Sequence, residues 1–385
     1  MSKRIGFYLY GRLSDKITPE MKNTPEGHSW VFGPLFDIFL KQGWEVYYFY
    51  PMETTEVQNY KLSAFAAFEC DKRWKVYNAI EKISDPLKDP LPPLDVLIMY
   101  YRWDRGEFYK QIYGDIDLRI QEKLISHYSK SSNTAIFFLN PDCKIPTNFS
   151  DSRITGVLNP SILPDEFFQS INFKFYSYYP PYALWPDSEI LPSTEKNPLK
   201  DIVYVGNRYE RDAEFEKWYV NYSKLNPYKV HVYGNWFRTF EEIFTIKKWW
   251  FVCYHARIGF QEFYDAYKDA VSCVLITKPE YYRWGFITQR PFESVYFGTL
   301  PLLPIQEPFP SYESLIPKKY HLHDFSDLLD KIYELKKLSL EEYDFQRKKL
   351  WDYFKSLCSP IKFYNKIQQL TENNNSLIED NKNVD

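Results

Sequence analysis

The stretch RPFESVYFGTLPLLP, residues 290–304, has the pattern of a short helix that runs directly into a buried strand. Pro291 suits the first helical turn, and Glu293 in the same turn complements the positive end of the helix dipole. Gly298 suits the left-handed backbone position that ends many helices. The segment therefore predicts one helix–strand unit of an α/β fold, with a carboxylate in the first turn of its helix.

The remainder of the chain alternates short apolar runs with helical patterns, on both sides of a proline-rich joint. Runs typical of buried strands precede the joint at 4–10, 44–51, 94–101 and 134–140. Further runs follow it at 202–206, 229–234, 270–276 and 300–304. Strands that alternate with helices in this way predict parallel sheets covered on both faces.

These patterns predict an α/β fold with two Rossmann-like domains. The first covers residues 1–180, a linker rich in proline and polar residues covers 181–201, and the second covers 202–345. Ser339 and Glu342 form a capping-box pattern at the start of a helical region that continues through 346–370. We expect the polar tail at 371–385, which lacks aromatic residues, to be disordered.

The composition argues against several classes of protein. The 385 residues carry a formal net charge of −3, which gives no overall basic excess for nucleic acid or an anionic membrane. The five cysteines are scattered without zinc-ligand spacing, as in a reducing compartment, and no metal site is predicted. The sequence has no signal-peptide pattern and no apolar run long enough to span a bilayer. We therefore expect a soluble, cytoplasmic protein.

Cationic and polar residues crowd the sequence just before the helix at 290. In an open parallel sheet, ligands bind outside the carboxyl ends of the strands, where helix N-termini also point. Arg283, Thr288 and Arg290 belong to that edge. Glu293 can accept hydrogen bonds there from both hydroxyls of a ribose, and arginines beside it favour a diphosphate. One short unit could thus bind the ribose and the phosphates of a nucleotide-sugar.

The segment ESVYFGTLPLL resembles the nucleotide-sugar helix of GT-B glycosyltransferases, in the form E-x-x-x-x-G-x-x-P. The resemblance implies two Rossmann-like domains that face each other across a cleft, with the acceptor in the first and the donor in the second. It also implies that the C-terminal helix, 346–370 here, packs back on the first domain. Many retaining members have a second glutamate at the position that is Gly285 in this chain. The resemblance therefore gives Glu293 the ribose contact and leaves retention or inversion open.

In GT-B enzymes, a glycine-containing turn after the first strand of the second domain faces the donor diphosphate. The turn here reads YVGNRYER, in which Gly206 allows close backbone approach and Arg208 can pair bidentately with phosphate. The alternative is a polar turn whose arginines, Arg208 and Arg211, lie in solvent or pair with neighbouring carboxylates. In VYGNW, Tyr233 or Trp236 could stack on the base or pack in the core. The predicted donor-binding residues are Gly206, Asn207, Arg208, Tyr233, Arg283, Thr288, Arg290 and Glu293.

Candidates for the acceptor side follow strands of the first domain. Asp142, in FFLNPDC, would accept the proton if the reaction inverts the sugar, and would orient the acceptor otherwise. The alternative is an ordinary Asn-Pro-Asp turn. In the segment YYRWDRGEF, an arginine could bind a phosphate while Trp103 stacks on a base or sugar ring. The alternative is a salt-bridged surface loop. The predicted acceptor-binding residues are Gly11, Arg12, Arg102, Trp103 and Asp104.

The runs LDVLIMYYRW and AIFFLNPDCKI look similar to those of phage-encoded and bacterial glycosyltransferases, which include bacteriophage enzymes that modify DNA. The resemblance implies a UDP-sugar donor such as UDP-glucose, an acceptor hydroxyl on a hydroxymethylated pyrimidine of phage DNA, and a place in the host cytoplasm. Duplex binding needs a local basic face, and the base must leave the stack. The candidates for that face are Arg12, Arg102, Arg105 and Lys144.

Two other functions stay open at this point. One is a glycosyltransferase that builds surface polysaccharide or glycosylates protein. The other is a non-catalytic protein of the same fold that binds nucleotide-sugar or DNA. The sequence determines neither the sugar, nor the use of a divalent metal, nor the oligomeric state.

Overall fold

The computed structural model describes the chain in segments separated by gaps. The described residues are 2–9, 35–36, 38–49, 82–84, 86–103, 116–130, 133–180, 198–236, 251–258, 262–306 and 314–382. The chain divides into two compact units: unit 1 combines Met1–Asp187 with Cys358–Asp385, and unit 2 is Ser188–Leu357. Most of the predicted linker, residues 181–197, lies outside the described residues.

The described part of unit 1 contains a seven-stranded parallel sheet in the order β3-β2-β1-β4-β5-β6-β7. The strands are β1 (Arg4–Tyr8), β2 (Glu45–Phe49), β3 (Lys82–Ser84), β4 (Val96–Tyr100), β5 (Ala135–Leu139), β6 (Gly156–Pro160) and β7 (Phe175–Tyr178). Helix α1 (Ile116–Tyr128) follows β4, and α2 (Asp165–Gln169) follows β6. Every residue of β4, β5 and β6 is buried, which is typical of the central strands of a parallel sheet.

The described part of unit 2 contains a six-stranded parallel sheet in the order β10-β9-β8-β11-β12-β13. The strands are β8 (Lys200–Val205), β9 (Val230–Tyr233), β10 (Val252–His255), β11 (Ala270–Val274), β12 (Leu300–Pro304) and β13 (His321–Leu322). The helices are α3 (Asp212–Phe215), α4 (Asn221–Leu225), α5 (Phe263–Tyr267), α6 (Pro279–Arg283), α7 (Arg290–Phe297), α8 (Phe325–Lys337) and α9 (Leu340–Leu357). The two parallel sheets confirm the predicted α/β fold.

The order of strands in each sheet creates one crevice at its carboxyl edge. In unit 2, β8 is flanked by β9 on one side and by β11 on the other. The loops that follow β8 and β11 therefore diverge, and open α/β sheets bind ligands at such a point. In unit 1, the corresponding point lies between β1 and β4.

Helix α7 is held in place by α9. The buried Arg347 donates hydrogen bonds to the carbonyl of Val295 at 2.9 Å and to that of Tyr296 at 3.3 Å, which satisfies carbonyls of the last turn of α7. The hydroxyl of Tyr343 donates to the Val271 carbonyl at 2.6 Å and accepts from the Leu300 amide at 2.9 Å. Helix α9 thus fixes α7 together with the two strands nearest to it in sequence.

The C-terminal region differs from the prediction of a single returning helix over 346–370. The capping box is confirmed, because the Glu342 amide donates to Ser339 Oγ at 3.2 Å and the Glu342 carboxylate accepts from the Ser339 amide at 2.8 Å. Residues 346–357, however, belong to α9 in unit 2, and a separate helix, α10 (Pro360–Lys382), belongs to unit 1. Proline lacks an amide donor and suits the first helical turn, so Pro360 begins a new helix.

Helix α10 packs on the first sheet through aromatic side chains. Phe363 lies 5.3 Å from Tyr178 and 6.4 Å from Phe39, measured between ring centroids. Trp44 Nε1 donates to the hydroxyl of Tyr364 at 3.3 Å. Lys366 of α10 also forms an ion pair with Asp165 of α2. These contacts anchor the C-terminal helix within unit 1.

The tail predicted to be disordered at 371–385 is helical as far as Lys382. Thr371 is buried, and its Oγ1 donates to the Ile367 carbonyl at 2.7 Å. No glycine or proline follows Thr371, but the three asparagines at 373–375 are weak helix formers, so the sequence alone does not show that the helix continues. Among the described helices, none is both long and apolar enough to cross a membrane.

Replacing Phe363 with alanine tests the attachment of α10. The side chain is 1% exposed, so Phe363→Ala should lower the free energy of unfolding by about 3–5 kcal/mol. Ile361 lies on the same helix but is 39% exposed, and Ile361→Ala should cost less than about 1 kcal/mol. Urea denaturation of both variants measures the difference. Equal losses would contradict the packing of α10 on unit 1.

Candidate functional site

Two glycines shape the crevice at the carboxyl edge of unit 2. Gly206 follows β8 with φ 151°, and Gly234 follows β9 with φ 145°. A Cβ at position 206 would lie 3.0 Å from Cζ of Arg290, and a Cβ at position 234 would overlap the Gly206 carbonyl. Glycine is therefore required at both positions, because the two turns and the Arg290 guanidinium approach one another within van der Waals contact.

Arg290 and Glu293 occupy the first turn of α7, one above the other on the same helix face. Arg290 Nε donates to the Val205 carbonyl at 3.1 Å. Glu293 is only 6% exposed, and no described group donates a hydrogen bond to its carboxylate. Burial raises the pKa of Glu293 to about 7, although the positive charge of Arg290 acts in the opposite direction.

Arg208 and Arg211 are three positions apart in the sequence, but their side chains have different surroundings in the structure. Arg208 pairs with Asp212, with Nε–Oδ1 2.9 Å and Nη2–Oδ2 2.7 Å, which is the paired arrangement considered as the alternative to phosphate binding. Arg211 is 7% exposed, and its Nη1 donates to the Tyr209 carbonyl at 2.8 Å. Its Nε is buried without a hydrogen-bond partner. Burial, followed by the nearby charge of Arg290, lowers the pKa of Arg211.

The sequence prediction did not include Arg211 among the donor-binding residues, and the structure shows that it is the more buried of the two arginines. The spacing of Arg208 and Asp212, four positions apart, is that of an ion pair on a helix and was the available signal. Thr277 was not among the predicted residues either. It follows β11, on the other side of the crevice, and is 3% exposed with an unpartnered Oγ1. The signal for Thr277 is its place just after a buried strand.

The other predicted donor residues have varied surroundings. The Asn207 side chain accepts a hydrogen bond from the Asn235 amide at 3.0 Å, which ties the two glycine turns together. The half-buried Tyr233 stacks on His255 with ring centroids 4.3 Å apart. Arg283 is exposed at the end of α6, and Thr288 is half-buried before α7.

The interpretation of Trp236 as a base-stacking residue is replaced by a structural role. Its side chain is 2% exposed and packs against Phe215 at 4.1 Å between ring centroids. Its Nε1 donates to the Gly206 carbonyl at 2.9 Å. A ring enclosed in this way fixes the turn at Gly206 and has no free face for a ligand.

In unit 1, Arg102 braces the two strands that flank the carboxyl-edge crevice. It is 8% exposed, and its Nη2 donates to the Leu9 carbonyl at 3.0 Å. Its Cζ lies 5.4 Å from the ring centroid of Tyr8 and 5.9 Å from that of Tyr100. Trp103 is half-buried, with Lys144 Nζ 6.0 Å from its ring centroid. Gly11, Arg12, Asp104 and Arg105 lie outside the described residues.

Asp142 lies exposed in the turn after β5. The turn is held by the buried Asn140, whose Oδ1 accepts from the amides of Lys144 at 2.8 Å and Ile145 at 3.1 Å. This is the turn geometry that was the structural alternative for Asp142, and its role as proton acceptor stays a prediction. In the described parts of both units, no three His, Cys, Asp or Glu side chains are grouped so that they could hold a metal ion.

Comparison with known proteins identifies the fold. No protein-family model matches the sequence, and no curated protein matches it either. Solved structures match over nearly the whole chain at low identity. T4 phage β-glucosyltransferase has a TM-score of 0.62 at 15% identity, over 96% of this chain and 99% of that one. Other structures of the T4 enzyme hold UDP-glucose, or UDP and Mn²⁺.

Two further structures match comparably. An α-glucosyltransferase in complex with UDP and a DNA that contains an HMU base has a TM-score of 0.60 at 13% identity, over 96% of this chain and all of that one (100%). The O-GlcNAc transferase of Thermobaculum terrenum has a TM-score of 0.56 at 10% identity, over 97% of this chain and 68% of that one. The chain therefore has the GT-B glycosyltransferase fold, and the resemblance inferred from its sequence is confirmed at the level of the fold.

The raised pKa of Glu293 predicts how stability changes with pH. Its pKa is about 7 in the folded chain against an ordinary 4.5, so folding favours the protonated carboxyl. The stabilisation is fully present below the ordinary pKa and is lost as the pH rises through 7. Relative to Glu293→Gln, the wild type should lose about 2–3 kcal/mol of unfolding free energy between about pH 5 and about pH 8. Urea denaturation at both pH values measures this, and a difference independent of pH would contradict it.

Proposed function

We propose that the chain is a glycosyltransferase that moves a sugar from a UDP-sugar, such as UDP-glucose, to an acceptor hydroxyl. The observation that supports this most directly is the Glu293 carboxylate, which is buried beside Arg290 without a hydrogen-bond donor among the described residues. A buried carboxylate destabilises a fold unless it is hydrogen-bonded. The two hydroxyls of a ribose supply the missing donors, and donors to the charged form would lower the pKa of Glu293 again.

Arg211 and Arg290 are proposed to bind the diphosphate of the donor. The two positive charges repel each other, and the charge of Arg290 contributes to the lowered pKa of the buried Arg211. A diphosphate between them would remove this repulsion and form charge-assisted hydrogen bonds, including one to the unpartnered Nε of Arg211. The remaining predicted donor contacts, Asn207 and Thr288 among them, would surround the same ligand.

The proposed chemistry is displacement of UDP from the anomeric carbon of the sugar. The acceptor oxygen forms the new bond to that carbon, and the bond from the carbon to the β-phosphate oxygen breaks. Negative charge then develops on the leaving UDP, where Arg211 and Arg290 would stabilise it. The acceptor proton would pass to a carboxylate if the sugar is inverted, with Asp142 as the described candidate. Under retention, a phosphate oxygen of the donor would accept it.

The proposed acceptor is a hydroxymethylated pyrimidine in DNA. Support comes from the fold, which is shared with a T4 phage β-glucosyltransferase and with an α-glucosyltransferase bound to DNA. It also comes from the carboxyl edge of unit 1, where Trp103 and Lys144 place an aromatic ring and a cation together. Such pairs suit an unstacked base and its phosphate. The other proposed contacts are Gly11, Arg12, Arg102 and Asp104.

Loss of the Glu293 carboxylate should weaken donor binding. Glu293→Ala removes a charge-assisted ribose contact, so the KM for UDP-glucose should rise about tenfold to a hundredfold. Glu280→Ala provides a matched control, because Glu280 is an exposed carboxylate of the same unit. Initial-rate kinetics with both variants measure the effect. An unchanged KM in Glu293→Ala would refute the ribose contact.

The acceptor is tested by mass spectrometry of nucleosides. Hydroxymethylated DNA is incubated with the protein and a panel of nucleotide-sugars, then digested, and the hydroxymethyl nucleoside should gain the mass of one sugar. DNA without the hydroxymethyl group should gain none. A parallel reaction with protein and polysaccharide acceptors covers the alternative glycosyltransferases. No gain in the DNA with any donor would refute the proposed acceptor.

A further inference from the structure

We propose that Tyr204 is a positioning residue that holds the guanidinium of Arg290 in place for the donor. This inference rests on the proposed function, in which Arg290 binds the diphosphate. Tyr204 is fully buried and was not among the candidates found in the sequence. It would act entirely through Arg290.

Three consecutive residues of unit 2 surround the Arg290 side chain. The ring of Tyr204 lies 4.9 Å from Arg290 Cζ, measured to the ring centroid. The Val205 carbonyl accepts from Arg290 Nε at 3.1 Å, and the backbone of Gly206 lies against the guanidinium. The position of the guanidinium is therefore set by the end of β8, although Arg290 itself belongs to α7.

The feature of Tyr204 that bears on Arg290 is the face of its ring. Its side chain is fully buried, and its hydroxyl has no hydrogen-bond partner in the described part of the chain. The hydroxyl is not required for the contact with Arg290, because phenylalanine would offer the same ring face. What the ring offers is its face, which attracts a guanidinium most strongly where water is excluded.

The orientation of that ring is fixed by its aromatic neighbours. Tyr219 and Trp236 both meet Tyr204 edge-on, each with ring centroids 5.5 Å apart and interplanar angles of 80° and 82°. Trp236 also holds the Gly206 carbonyl through its Nε1. The same cluster thus fixes the ring below the guanidinium and the glycine turn beside it. An arginine positioned before the donor arrives loses less conformational freedom when the donor binds.

The test compares Tyr204→Leu with Tyr204→Phe. Leucine removes the ring face, and the Kd for UDP should rise about five- to thirtyfold. Phenylalanine keeps the face, and its Kd should stay within about twofold of wild type. Titration calorimetry with UDP measures both. The double variant Tyr204→Leu with Arg290→Lys should bind no more weakly than Arg290→Lys alone, because both changes disrupt one interaction.

A purely structural effect is excluded by a control and by a spectroscopic readout. Tyr320→Leu also removes a buried ring of unit 2, so it should lower the unfolding temperature without changing the Kd for UDP. The ¹H–¹⁵N resonance of Arg290 Nε, identified by its loss in Arg290→Lys, should shift in Tyr204→Leu and persist in Tyr204→Phe. Wild-type affinity together with an unchanged resonance in Tyr204→Leu would overturn the inference.

Failure of the proposed function would look different. In that case the wild-type protein would not bind UDP, whereas the Arg290 resonance would still respond to Tyr204→Leu and not to Tyr204→Phe. Such a result would support the positioning of Arg290 by Tyr204 and contradict only the identity of the ligand. Equal loss of the resonance in both variants would contradict the role of the ring face.

Discussion

The candidate site in unit 2 depends above all on one carboxylate and one guanidinium at the start of α7. Glu293 is almost inaccessible, yet no described group donates to it, and its pKa is raised to about 7 by burial. Burial without a partner disfavours the charged form of a carboxyl group and weakens the fold. Groups of this kind concentrate at functional sites, because a ligand can supply the missing interaction.

The rest of unit 2 fixes these two side chains. Strand β8 ends under the Arg290 guanidinium, Gly206 leaves space for that guanidinium, and Gly234 leaves space for the Gly206 carbonyl. Helix α9 satisfies the last carbonyls of α7 through Arg347 and holds the following strand through Tyr343. Among the described residues at the crevice, Arg211, Thr277 and Tyr204 each keep a buried polar atom without a hydrogen-bond partner, and no described group donates to Glu293. A rigid site with a few unsatisfied polar groups is well suited to a polar ligand of fixed shape.

Unit 1 uses its polar residues differently. Arg102 is occupied with the Leu9 carbonyl and two tyrosine rings, and Asn140 holds the turn that carries Asp142. Arg102 thus braces unit 1, whereas Gly11, Arg12 and Asp104 lie outside the described residues and Trp103 stays a predicted acceptor contact. Since the whole chain has a net charge of −3, recognition of DNA would depend on a local group of cations and rings such as Lys144 with Trp103.

The sequence by itself determined the two parallel sheets, the limits of α7 and the capping box at Ser339, because periodicity, glycine positions and caps act over a few residues. It also singled out Glu293 and Gly206. Only the tertiary structure decided that Arg211 rather than Arg208 is buried, that Trp236 braces a turn, and that the chain continues as a helix past Thr371. Burial and the choice of hydrogen-bond partner depend on elements far apart in the chain, as with Tyr204 and Arg290, and local patterns do not record which of them will meet.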